Sequence, residues 1–174
     1  MVNCARKHRM RQRAAVLLLT LGVGTAATAT DLHAYWDSRC AGCHGDAGDF
    51  ARRTLRVESG RLLGHHQGAA LERFLRQHYL ADELIPRTMA MLAAQTVVDP
   101  VYKDQCRRCH GAASAFARDK LRLRDGVLIG RGGGQPVHDT LRRHGGLDAA
   151  EAAAMARTLA RVLDEVGGGV PARN

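Results

Sequence analysis

The chain sets short apolar stretches between polar ones, and most of the pattern occurs twice. An almost unbroken apolar run, Ala14-Ala-Val-Leu-Leu-Leu-Thr-Leu-Gly-Val-Gly, follows the cations Arg6, Lys7, Arg9, Arg11 and Arg13. Further on, apolar alternation over 54–64 and 120–130, centred on Ser59-Gly60 and Asp125-Gly126, predicts two small hairpins. Residues 32–43 and 100–109 read as short helices. Residues 69–77 and 136–143 read as helices with Leu75 and Leu141 inward. A last helix is expected over about 83–95 and again over about 149–166. Pro86 suits a first turn, and Asp148 with Glu151 forms an N-terminal cap signal. Met155 shares a face with Leu159, Val162, Leu163 and Val166, as Met89 does with Leu92 and Ala93. The fold class expected is mainly α, in two tandem units that each hold a short hairpin.

The repeat has an offset of 66 and, in the sequence, no gap. Pairing each residue of 32–97 with the one 66 positions later gives 21 identities, about a third. They include Gly45/Gly111, Phe50/Phe116, Arg52/Arg118, Leu55/Leu121, His78/His144, Asp82/Asp148 and Met89/Met155. This divides the chain into units 30–97 and 98–166, joined near 96–100 with almost no linker. The two should pack against one another. Each is near the size at which an apolar core alone is marginal, and aromatic residues are scarce.

The strongest chemical signal is Cys40-Ala-Gly-Cys43-His44, repeated as Cys106-Arg-Arg-Cys109-His110. Two thiols three apart followed by histidine form the attachment signature of c-type haem. Zinc pairs are usually spaced by about 15–20 residues, whereas 62 positions separate Cys43 from Cys106. Neither zinc nor two disulfides explains a histidine after both pairs. The chain resembles a di-haem c-type cytochrome, with tandem units similar to small class I cytochromes c, over nearly everything past residue 30. That resemblance implies two covalent haem c groups held through Cys40, Cys43, Cys106 and Cys109, with His44 and His110 as proximal iron ligands. A haem would also fill the volume that the side chains leave open.

The sixth iron ligand has two matched candidates. In the family the distal ligand lies in a loop just before the last helix, a description that His78 and His144 meet. Met89 and Met155 are the alternative, and their helical register favours core packing. Bis-histidine ligation implies lower potentials than His/Met ligation. Unmatched His33, His65, His66 and His138 read as surface residues, and the matched arginines as solvated cations or propionate clamps.

The first segment, 1–29, has the positive, apolar, small-residue order of a secretory signal, with a cut after Ala29; an uncleaved anchor would need a longer apolar span. Cys4 would leave with it. Five of the 26 basic residues and none of the 17 acidic ones precede Thr30, so the remainder carries 21 minus 17, or +4. The high isoelectric point therefore belongs mostly to the signal and gives no support to a nucleic-acid partner. Residues 167–174 read as a flexible tail.

The function expected is electron transfer in the periplasm, with no stable membrane insertion after cleavage. The partner would be a periplasmic redox protein or a membrane oxidase or dehydrogenase. A haem enzyme or gas-binding protein with an open axial position, and an electron-transfer subunit of a larger complex, are the alternatives. No catalytic acid–base constellation stands beside either motif.

Overall fold

The computed structural model describes residues 29–65, 71–78, 80–98 and 100–167. The segment expected to be a signal, up to residue 28, with Cys4, and likewise His66 and the residues from 168, lie outside the described residues. Those described are mainly helical, with two small antiparallel two-stranded sheets. No helix among them is long and apolar enough to cross a membrane.

The first unit runs α1 (Leu32–Arg39), α2 (Ala41–His44), α3 (Ala47–Thr54), β1 (Leu55–Glu58), β2 (Arg61–Gly64), α4 (Leu71–Gln77) and α5 (Ile85–Val97), the last preceded by a 3-10 turn at Asp82–Leu84. The second unit opens with a π-helical turn, Tyr102–Cys106. It continues with α6 (Arg107–His110), α7 (Ala113–Lys120), β3 (Leu121–Arg124), β4 (Val127–Gly130), α8 (Val137–His144) and α9 (Ala149–Glu165). Both hairpins turn where expected. Ser59 and Gly60 have φ of 49° and 74°, and Asp125 and Gly126 of 51° and 76°. Consecutive positive φ values are those of a type I′ turn, whose twist matches the flanking strands. The expected cap of α9 is a full capping box, in which Asp148 accepts from the Glu151 amide at 2.8 Å and Glu151 from the Asp148 amide at 2.9 Å.

Three expectations need correction. The helix expected over 32–43 breaks at Cys40, whose backbone (φ −115°, ψ −36°) ends α1 before α2 begins. Helices α3 and α7, between motif and hairpin, were not anticipated; α3 starts where the Asp46 carboxylate accepts from the amides of Gly48 and Asp49. Finally, the repeat is not gap-free. Leu80 and Leu147 are buried alike, as are Ile85 and Ala152, Thr88 and Met155, and Leu92 and Leu159. These pairs are 67 apart, so the second copy has one extra residue after its matched histidine. Met155 is therefore the structural counterpart of Thr88, and the sequence pairing of Met89 with Met155 dissolves.

Each unit has its own core. Leu32, Trp36, Ala51, Leu55, Ile85, Met91 and Leu92 gather around α5, and Ala117, Leu121, Met155, Leu159, Val162 and Leu163 around α9. Leu75 and Leu141 pack against these cores, half-buried. The units meet through polar contacts. Lys103 bonds Asp49 at 2.7 Å, Arg118 Nε donates to Asp31 at 2.9 Å, and His33 Nε2 meets buried Glu165 at 2.8 Å. His33 is thus an inter-unit contact, held between α1 and α9, and the surface role expected of it is wrong.

Candidate functional site

In each unit the motif helix ends on a histidine and turns sharply on glycine. Gly45 and Gly111 have φ of 71° and 73°, a left-handed backbone that side chains with a Cβ disfavour. Trp36 fixes the first turn by donating from Nε1 to the Gly45 carbonyl at 2.9 Å. The turn sends the chain into α3 or α7, which places Phe50 and Phe116 on the histidine rings. Phe50 stands 4.6 Å from His44 at 59°, and Phe116 stands 5.0 Å from His110 at 67°. Trp36 lies against Phe50, and its counterpart Tyr102 against Phe116. Sequence comparison shows the Phe50/Phe116 identity, but not that these rings buttress the histidines.

The opposite wall comes from the end of α4 or α8. His78 faces His44 with ring centres 5.9 Å apart, and His144 faces His110 at 5.8 Å. Two imidazoles on opposite sides of one metal ion, with bonds of about 2.0–2.1 Å, would set their ring centres roughly 6.4 Å apart. Both histidine pairs stand slightly closer than that, although 34 positions separate the partners in sequence.

Between His110 and His144 lies a cleft of about 780 Å³, lined also by Cys106, Cys109, Phe116 and Leu121. That volume is in the range of roughly 300–1,000 Å³ usual for ligand clefts. Tyr102 also lines it, and the buried Tyr102 hydroxyl has no hydrogen-bond partner. Burial first, and then Cys106, pushes this phenol up to about 12. All four motif cysteines are free thiols. Cys40 and Cys106 are half-buried, which pushes their thiols up, while Cys43 and Cys109 are exposed.

The methionines lie elsewhere. Met155 is buried in the second core and lines a cavity of about 230 Å³ between the units, on the other side of Tyr102. Met89 lines a cavity of about 340 Å³ with Leu62, Leu63 and Leu71, whose lining includes neither His44 nor His78. The matched arginines are engaged unequally. Arg52 bonds Asp49, Arg56 the Gly64 carbonyl and Arg76 Glu72, whereas Arg118 reaches across to Asp31.

Among the described residues no three His, Cys, Asp or Glu side chains converge as a metal site made of protein alone would need. Paired imidazoles over an apolar cleft, with two free thiols beside them, fit a metal that brings its own equatorial ligands. The chain matches no protein-family model, no curated protein and no solved structure.

Proposed function

We propose that this chain is an exported di-haem c-type cytochrome that carries electrons in the periplasm. One observation supports it above the others: both units bring the histidine of Cys-x-x-Cys-His and a second, matched histidine to nearly the same ring separation, 5.9 and 5.8 Å. A single such pair could be accidental, and its recurrence in the second unit supports the reading. A haem, when bound, supplies one-electron chemistry between ferrous and ferric iron.

The chain's own residues have separable roles in this reading. Cys40 with Cys43, and Cys106 with Cys109, would hold the haem through thioethers, each S–H adding across a vinyl double bond with sulfur on one carbon and hydrogen on the other, so that the cofactor stays with an exported protein. His44 and His110 hold the proximal side, oriented by Phe50 and Phe116. His78 and His144 would hold the distal side. The buried Tyr102 hydroxyl, which has no partner, is a spare donor on a side chain that lines the second cleft. The partner is a periplasmic redox protein or a membrane oxidase or dehydrogenase, and small transient contacts suit that exchange.

The test is a count. Co-expression with a cytochrome c maturation system should give coloured protein whose mass exceeds the processed peptide by two haems. Replacing Cys40 and Cys43 with Ala should remove one haem and leave the other. Colourless protein with the mass of bare peptide would overturn the reading.

A further inference from the structure

We propose that the two distal histidines are not equivalent: His144 yields, and the second iron takes a small neutral ligand of the carbon monoxide class, while His78 stays in place. The inference rests on the haem reading above and goes beyond it by assigning a ligand site to one of the two units.

The difference begins one helical turn before each histidine. Phe74 stacks on His78 with ring centres 4.6 Å apart and planes at 23°. Four residues before His144 stands Thr140, with no ring to offer. Its hydroxyl donates to the Pro136 carbonyl at 3.2 Å, and its side chain lines the second cleft. Among the described residues His144 has no ring neighbour except His110. Exposure follows the same division, since His44 and His78 are half-buried whereas His110 and His144 are exposed.

The backbone after each histidine differs as well. His78 is followed by Tyr79 and then by Leu80, which is buried. His144 is followed by Gly145 and Gly146 before the equally buried Leu147, one residue more. Gly146 has φ of 65°, and a Cβ on Gly145 would stand 2.7 Å from the Leu141 carbonyl oxygen. Two glycines in succession give the last turn of α8 conformational freedom that Tyr79-Leu80 does not. Gly132, Gly133 and Thr140, none with a bulky side chain, line the same cleft as His144.

The energetic argument is competition for one coordination position. An incoming ligand binds with its intrinsic affinity multiplied by the fraction of time the histidine is away. An aromatic stack changes such an equilibrium by about two- to tenfold. Phe74 lowers that fraction in the first unit, and among the described residues no ring does so in the second.

The experiment uses the full holoprotein. Its mass is measured first, because a count other than two haems would overturn the haem reading itself, independently of this proposal. The protein is then reduced with dithionite and titrated with carbon monoxide while the Soret band is recorded. The expected titration has two phases of one haem each, separated about two- to tenfold in carbon monoxide affinity, the tighter belonging to the second unit. Phe74→Thr should bring the first unit's haem toward the tighter phase, and Thr140→Phe should weaken carbon monoxide binding in the second unit about two- to tenfold. Both positions are exposed, so the substitutions spare the cores. Two haems that bind alike, two that bind nothing, or a Phe74→Thr variant that titrates as the parent would sink the proposal.

Discussion

At Tyr102 a single phenol joins stability to the candidate site. Its ordinary value of about 10 is raised to about 12 by burial, and then by Cys106. The folded chain therefore keeps a proton that the unfolded chain releases between those values. The corresponding stability is fully present below about pH 10 and is lost as pH rises toward about 12. Tyr102→Phe should flatten this alkaline loss, read as the urea midpoint against pH; an unchanged alkaline limb would show that the phenol plays no part. Residue chemistry was otherwise legible where it recurs. The motif cysteines, His44/His110 and His78/His144 all stand out as matched pairs. His33 did not, because its partner Glu165 is 132 positions away.

Helix α9 shows what is local at the scale of an element. Asp148 and Glu151 satisfy each other's orphan amides, a device written into four consecutive residues. Asp148→Ala should cost about 1 kcal/mol, measured by chemical denaturation; a loss near zero would mean that water replaces the cap. The hairpins were equally legible, since Ser-Gly and Asp-Gly are the residues a type I′ turn accepts. Helices α3 and α7 were not. Each has only eight residues, and the positions they bury are small, Ala47, Gly48 and Ala51 in α3 and Ala117 in α7, so no stripe of large apolar side chains marks them. The one-residue slip between α5 and α9 was hidden for a related reason. Identities at an offset of 66 continue by chance through Met89/Met155, whereas only burial exposes the offset of 67.

On the scale of the whole molecule, polar contacts join the two units, and one of them involves a buried acid. Glu165 is 6% exposed and accepts from His33 of the first unit and from Arg161 on its own helix. Arg161 already has one buried nitrogen without a partner. Glu165→Ala would leave more buried donors unsatisfied and should cost about 1–3 kcal/mol. Lys103→Ala, at the exposed Asp49 contact, should cost about 0–1 kcal/mol. Equal losses in a denaturation series would refute this ranking. The amino-acid sequence by itself determined the duplication, the two Cys-x-x-Cys-His motifs, the hairpin turns and the cap of α9, because each is carried by residues a few positions apart or by repetition. Only the tertiary structure decided that the histidines of each unit face each other at about 6 Å, that the methionines lie outside the described cleft and that Phe74 stacks on His78. Those relations depend on how helices pack across tens of residues, and side-chain packing has no fixed sequence period to reveal it.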